Sequence, residues 1–280
     1  MSERKYEQRR ERLRALMREQ GIEALLGSHA ANRYYLSGFE LHDPQLNESS
    51  GRLVVMADGK DWIATDSRYL DAARRLWDHE RICIYGADAP QDIARLLLGL
   101  VPGKTVGFEA RSVTLDFYEK FSETLAGSGC RFARADGLVE RLRVIKDEDE
   151  IRRMEASCRL NQRLMEWLPG VLVPGRSEAA VAWDIEMFFR HHGATELAFS
   201  SIVGHGRNAA LPHYMPSKDV LLEQENLVLV DVGCRLDEYC SDQTRTFWVG
   251  EKPTDIFERT LEAVRTAQEK AIRAIHPGVL

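Results

Sequence analysis

Two aspartates in the C-terminal part of the chain have the type and spacing of metal ligands. Asp231 interrupts the apolar run Leu227–Val232, in which every second residue is valine. An ionised carboxylate on such a strand is costly unless it is paired or binds a metal. Asp242 follows eleven residues later, across a predicted turn at Cys234–Asp237. A hairpin of that length can bring the two carboxylates together, where they suit a hard or borderline divalent cation and could bridge two.

The spacing alone leaves a plainer alternative open. Asp231 could be a surface residue and Asp242 a strand-end residue that pairs with Arg235 or Arg245. Two aspartates at this spacing are a weak signal without further ligands, so neither interpretation is excluded by the pattern.

His213 is the second candidate, because it lies in a loop rich in glycine and proline after the predicted strand Phe199–Val203. A loop histidine near a metal can bind a carboxylate or carbonyl oxygen of a substrate. The alternative is an exposed loop histidine without a role, and the same choice applies to His205. His191 and His192 are expected at a helix C-terminus, where a cationic imidazole suits the helix dipole.

The elements that must position these residues fall into two predicted domains, residues 1–140 and 141–280. The first alternates short strands with helices, which predicts an α/β domain. Within it, Asp58-Gly59 predicts a β-hairpin turn, and Ser67 is expected to cap a helix that runs to Trp77.

The second domain is predicted to open with two helices that lead into a β region. Acids at Asp147–Glu150 favour the start of the first helix, and Ser177 is expected to cap the second. Three strands and a last helix should follow, at Phe199–Val203, Leu227–Val232, Tyr239–Val249 and residues 255–275.

Composition excludes several classes of protein. The chain has 280 residues, 44% hydrophobic and 29% charged, which excludes a disordered tail, a collagen-like fibre and a disulfide scaffold. Its net charge of −6 argues against nonspecific nucleic-acid binding. Five cysteines without a CxxC pair, together with no secretory signal and no apolar run near ~18 residues, predict a reduced cytoplasmic protein without a membrane span.

Ordered motifs along nearly the whole chain carry a family resemblance. They are Asn32–Phe39, Thr65–Tyr69, Val106–Glu109, Arg143–Ile151, Phe199–Gly204, Asn208–His213, Val230–Gly233 and Tyr239–Phe247. Together they resemble the creatinase/prolidase ("pita-bread") metallopeptidase family, and within it the Xaa-Pro dipeptidases and aminopeptidases. The resemblance implies a creatinase-type N-terminal α/β domain followed by an α+β pita-bread catalytic domain.

The resemblance also implies roles for individual residues. Asp231 would be a bidentate ligand of one divalent metal ion, and Asp242 would bridge two. His213 would contact the substrate near the scissile bond, and Thr244 would hydrogen-bond the metal-bridging water or a ligand. That water would attack the peptide carbonyl of a proline-containing substrate. Manganese, cobalt and zinc all suit such a site, and a homodimer is expected from the family.

A complete site in this family needs more ligands than the chain supplies. A histidine and two glutamates would join the aspartates, and the catalytic residues are expected beyond residue 280. We therefore expect a truncated pita-bread domain that is inactive as it stands. Two other functions stay open: a non-catalytic binding module on the same fold, and a metal-independent, creatinase-like amidinohydrolase.

Overall fold

A computed structural model describes residues 3–43 and 48–279. The chain divides into two compact units, Met1–Lys146 and Asp147–Leu280. Leu280, the residue at which the sequence predicts an early end of the second domain, lies outside the described residues.

The first unit is built on a six-stranded sheet in the order β4-β3-β2-β1-β5-β6. Strand β2 runs antiparallel to both β1 and β3, and the other neighbours are parallel. The strands are β1 (Ala24–Gly27), β2 (Arg52–Met56), β3 (Trp62–Thr65), β4 (Ile82–Ile84), β5 (Thr105–Phe108) and β6 (Arg131–Arg134).

Helices cover both faces of this sheet, because alternate strand residues enter two different cores. Leu25 of β1 packs in one core with Leu13, whereas Leu26 packs in the other with Leu97 and Phe121. The helices are α1 (Glu3–Glu19), α2 (Ala30–Ser37), α3 (Leu70–Arg74), α4 (Ala89–Leu100), α5 (Leu115–Leu125) and α6 (Leu138–Arg143). The predicted α/β architecture is therefore present as three layers.

Two local predictions in this unit meet different outcomes. The hairpin at Asp58-Gly59 is confirmed, with Gly59 in the left-handed region at φ 84°. The prediction of a helix from Ser67 to Trp77 is wrong, since the chain forms a 3₁₀ turn at Ser67–Tyr69 followed by the short α3, which ends at Arg74. Asp66, not Ser67, is the cap. It directly follows β3, and its carboxylate accepts a hydrogen bond of 2.8 Å from the backbone amide of Arg68.

The predicted boundary at residue 140 falls inside α6. Leu138 and Val139 of that helix are buried in the same core as Leu13 of α1. The first unit consequently extends through α6 to Lys146.

The second unit packs two helices against a pair of three-stranded antiparallel sheets, ordered β12-β9-β8 and β11-β10-β7. Val228, Val230 and Val232 of β9 are buried against Leu164 and Ile185 of the two helices. The elements are α7 (Glu148–Trp167), α8 (Glu178–His191), α9 (Asp255–Ala274), β7 (Glu196–Leu197), β8 (Ile202–His205), β9 (Asn226–Val232), β10 (Cys234–Leu236), β11 (Tyr239–Cys240) and β12 (Gln243–Val249).

Helix starts and the strand predicted at Leu227–Val232 follow the sequence in this unit, whereas the bounds of the other strands do not. Asp147 and Ser177 cap α7 and α8 as predicted. The predicted strand Phe199–Val203 is displaced to β8, and Tyr239–Val249 is divided between β11 and β12. The predicted turn Cys234–Asp237 is largely strand β10, because these residues pair with β7 and β11.

Helix α9 follows β12 and keeps its apolar side chains at the surface. Ile256, Val264 and Ile272 are all at least 60% exposed. Across the described ranges, no helix combines the length and apolarity needed to cross a bilayer.

Candidate metal and substrate site

Asp231 and Thr244 face each other across the β9–β12 pair. They are direct partners in the antiparallel ladder, and the Thr244 hydroxyl donates a hydrogen bond of 2.7 Å to Asp231 Oδ1. The other oxygen, Oδ2, accepts no hydrogen bond from the described part of the chain. Asp231 is half-buried on the face of β9 opposite the buried valines. Its carboxylate is thus oriented by Thr244 and retains free acceptor capacity.

Asp242 is not opposite Asp231, because it directly precedes β12 and comes two residues before Thr244, the ladder partner of Asp231. Continuing the alternation of β12 outward by one residue gives Asp242 the diagonal position on the face of Asp231. Diagonal neighbours in an antiparallel pair are roughly 7–8 Å apart, within reach of one or two bridging cations. Asp242 is exposed. The sequence predicted that the two aspartates can lie across from each other, whereas the ladder places Thr244 opposite Asp231.

The alternative in which these aspartates neutralise arginines is not what the structure contains. Arg235 pairs with Glu196, whose Oε1 lies 2.9 Å from the guanidinium Nε, and Arg245 donates to the carbonyl oxygen of Thr244. Within residues 3–43 and 48–279, neither Asp231 nor Asp242 forms an ion pair. Two neighbouring carboxylates without a protein cation carry a charge that a divalent ion would neutralise.

The donor set fits a hard divalent cation in part. Carboxylate oxygens suit Mg²⁺, Ca²⁺ and Mn²⁺ and are accepted by Zn²⁺ and Co²⁺. No group of three or more histidine, cysteine, aspartate or glutamate side chains that could hold a metal occurs among the described residues. The two aspartates alone are therefore an incomplete donor set for a metal ion.

His213 lies on the loop that follows β8, the strand next to that of Asp231. Its side chain is exposed, and its backbone adopts the left-handed region at φ 55°. A histidine in that region is uncommon and stores backbone strain. The described residues offer it no hydrogen-bond partner, so both ring nitrogens are available. His205, in contrast, ends β8 with 6% exposure, and its Nε2 accepts from the Glu223 amide at 3.1 Å. The interpretation of His205 as an exposed loop residue is wrong.

Glu178 is a buried residue of this region that the sequence did not reveal. It is the first residue of α8, fully buried, and accepts hydrogen bonds from four groups of the segment that surrounds His213. The donors are the His205 amide at 2.8 Å, the Asn208 side chain at 3.0 Å, the Tyr214 hydroxyl at 2.7 Å and the Ser217 amide at 3.0 Å.

These donors determine the charge state of Glu178. Burial by itself raises the pKa of a carboxyl, but the hydrogen bonds from the four donors outweigh burial and lower the pKa of Glu178. The carboxylate is ionised at neutral pH. A glutamate in the first turn of a helix is ordinary because it suits the helix dipole, so no signal in the sequence separated Glu178 from a surface residue.

Two glycines allow close approach of the backbone at the site. A Cβ at Gly204 would lie 3.0 Å from backbone atoms of Asn208 and Ala209, so glycine lets the His213 loop fold onto β8. A Cβ at Gly233 would overlap the carbonyl oxygen of Ser241. Glycine there lets β9 pass close to the residue before Asp242.

Comparison with known proteins places this geometry in a family. Residues 9–145 match the Creatinase/Prolidase N-terminal domain, and residues 152–280 match Metallopeptidase family M24. An uncharacterized peptidase of Bacillus subtilis, YqhT, is 32% identical over 271 residues, which are 96% of this chain and 72% of YqhT. The chain belongs to metallopeptidase family M24. The creatinase/prolidase resemblance predicted from the motifs is confirmed.

Other relatives of the M24 chain are named as peptidases acting on proline-containing substrates. The Xaa-Pro dipeptidase of Pyrococcus furiosus is 28% identical over 275 residues, 97% of this chain and 73% of the relative. Among solved structures, an Xaa-Pro dipeptidase from Bacillus anthracis superposes with a TM-score of 0.86 at 29% identity, over 98% of this chain and 73% of that one. The prolidase of Pyrococcus horikoshii OT3 gives 0.83 at 25% identity, over 97% and 73%. The fold class of a creatinase-type N-terminal domain followed by a pita-bread domain is confirmed.

Proposed function

We propose that this M24 chain carries part of the active site of a metal-dependent peptidase that cleaves Xaa-Pro peptide bonds. The observation that carries the proposal is the carboxylate of Asp231, which accepts a hydrogen bond from Thr244. Among the described residues, no arginine or lysine forms an ion pair with it or with Asp242, two residues before Thr244. The printed names of the P. furiosus and B. anthracis relatives support the substrate class.

Each residue of the site has a proposed role. Asp231 and Asp242 would hold two divalent ions, manganese, cobalt or zinc, with Asp242 as the bridge. When bound, these ions lower the pKa of a coordinated water and polarise the substrate carbonyl. Thr244 keeps Asp231 Oδ1 in a fixed direction by donating its hydroxyl proton. His213 would donate a hydrogen bond from a ring nitrogen to an oxygen of the substrate near the scissile bond.

Assembly and location are further parts of the proposal. A homodimer is supported by the family resemblance. All five cysteines are free thiols, and this supports a reducing compartment such as the cytoplasm.

Metal binding tests the ligand roles directly. We expect Asp231→Asn and Asp242→Asn to weaken Mn²⁺ binding, measured by calorimetric titration. Loss of a residue that only hydrogen-bonds to a metal ligand lowers metal affinity roughly 10–100-fold, and loss of a ligand itself should lower it by more. Asp237→Asn is the matched control, because Asp237 is exposed, lies between the two aspartates in sequence and occupies a left-handed turn position that asparagine accepts. Unchanged Mn²⁺ affinity in either site variant would refute the assignment.

Substrate class is tested on the parent protein, which would also carry the remaining metal ligands. Hydrolysis of Xaa-Pro dipeptides and of creatine should be compared with and without added Mn²⁺. Metal-stimulated cleavage of the dipeptides supports the proposal. Creatine cleavage without metal supports the amidinohydrolase instead, and metal binding with neither activity leaves the binding-module alternative.

A further inference from the structure

The hydrogen bonds that tie the segment Gly206–Pro216, which contains His213, to the rest of its unit end on a single side chain, although the segment also packs against β8 at Gly204. Among the described residues, the hydrogen bonds between this segment and the rest of the unit are donated to Glu178 by the Asn208 side chain and the Tyr214 hydroxyl. The residues that flank the segment, His205 and Ser217, donate their amides to the same carboxylate. One buried group therefore fixes both ends and the middle of the segment.

The start of α8 fixes the chain after this segment in a different way. The amides of Glu178 and Ala179 donate to the carbonyl oxygens of Val220 and Ser217 at 3.1 Å. These are bonds of backbone to backbone, and they do not depend on the side chain at position 178. Replacing that side chain should consequently release Gly206–Pro216 and leave the contacts after Ser217 in place.

The conformation of His213 requires such support. Its φ of 55° lies in the left-handed region, which is uncommon for residues other than glycine, and such backbone persists where surrounding contacts determine it. The next residue is Tyr214, whose hydroxyl donates to Glu178 and accepts from Asn208 at 2.9 Å. The hydrogen bonds to an ionised carboxylate are stronger than those between neutral groups. They are therefore the contacts best able to hold the backbone of His213 in place.

We propose that Glu178 is a positioning residue that holds the His213 segment in the conformation required for contact with the peptide substrate. This inference rests on the proposed function for the role of His213, but the arrangement of the segment is independent of it. Glu178 touches no substrate itself and acts through Asn208 and Tyr214.

The first test measures the position of the His213 segment and does not depend on enzymatic activity. Imidazole resonances of the histidines are recorded by NMR and assigned with His213→Gln, together with hydrogen exchange at the His205 and Ser217 amides. Glu178→Gln keeps the size of the side chain and removes its charge. We expect a shifted or broadened His213 resonance and roughly tenfold faster exchange at both amides. Glu178→Asp, which restores the charge, should recover part of both signals. Glu186→Gln, which removes a partly exposed partner of Arg190 on the same helix, is the matched control.

The second test examines coupling to catalysis in the parent protein, which would also carry the remaining metal ligands. If His213 acts on the substrate and Glu178 acts through it, Glu178→Gln should lower kcat/KM by roughly tenfold in the otherwise unchanged protein, and by less than about twofold when His213→Ala is already present. Mn²⁺ affinity should stay within about twofold, because Asp231 and Asp242 lie on strands that Glu178 does not contact.

The outcomes separate the two proposals. A His213 resonance and amide exchange that Glu178→Gln leaves unchanged would overturn the positioning role. Altered resonance and exchange in this chain, with no metal-stimulated peptidase activity in the parent protein that carries the remaining ligands, would support the arrangement of the segment and contradict the proposed function. If Glu178→Gln fails to fold, Tyr214→Phe decides instead, because it removes one hydrogen bond beside His213. An unchanged His213 resonance in that variant would then overturn the role.

Discussion

Replacement of Gly233 by alanine tests whether the fold sets the spacing of the two aspartates. The added Cβ would overlap the carbonyl oxygen of Ser241 and lie 2.9 Å from a ring carbon of Phe199. The phenyl ring can turn away, but the Ser241 carbonyl is backbone directly before Asp242. The φ of Gly233 is not in the left-handed region. Glycine is therefore required at this position only because a Cβ has no room there.

The size of the effect follows from that contact. Overpacking a well-packed interior costs about 1–3 kcal/mol, occasionally more. Gly233 and Ser241 are both buried, so we expect a loss near the upper end, about 3 kcal/mol in the free energy of unfolding. To regain ordinary separation, Ser241 must move on the order of 1 Å. Ligand distances in metal sites vary by only about 0.2 Å. Displacement of Asp242 with Ser241 should therefore lower Mn²⁺ affinity by at least about tenfold.

The assay combines urea unfolding followed by circular dichroism with calorimetric titration of Mn²⁺. Gly170→Ala is the control in the same unit, since no atom lies within 4 Å of its added Cβ and its φ is not positive. We expect that control to change stability by less than about 0.5 kcal/mol. If Gly233→Ala matched the control in both measurements, the steric explanation and the coupling between fold and site would both be wrong.

Three further predictions concern single side chains. Thr244→Val removes the hydrogen bond to Asp231 and should lower Mn²⁺ affinity about tenfold in calorimetric titration; Thr246→Val, on the same face of β12, should not. Glu178 has a lowered pKa in the folded protein, so the stability it contributes is present above its ordinary value of 4.5 and is lost as the pH falls through the folded-state pKa. Glu178→Gln should therefore flatten the acid side of the stability profile, measured by urea unfolding from roughly pH 5 to pH 3, and an unaltered slope would contradict this reading. Asp61→Asn removes the buried carboxylate shared by Arg10 and Arg14 of α1 and leaves them the more exposed Glu7, so it should cost about 1.5–3 kcal/mol in the same assay, whereas a loss below about 1 kcal/mol would show that the ion pair is dispensable.

Local signals in the sequence predicted much of the fold. Asp58-Gly59 forms the predicted hairpin turn, and Asp147 and Ser177 cap the helices that they were expected to cap. Each of these features depends on residues within one or two turns, because a cap satisfies amides only three or four positions away. The exception is Asp66, which takes the capping role predicted for its neighbour Ser67. Two adjacent residues of capping type cannot be told apart without the direction of the preceding strand.

The sequence by itself determined the family, the two domains and the identity of the residues proposed to bind metal. Only the tertiary structure decided how those residues meet. Asp231 is opposite Thr244 rather than Asp242. The predicted hairpin is divided at Gly233, and the residues after it form β10, which pairs with β7 in a sheet separate from that of β9 and β12. Glu178 receives donors from positions 205–217 because β8 returns past the start of α8. Strand register and buried hydrogen bonds of this kind join residues distant in sequence, and local propensity carries no information about which distant partner is chosen.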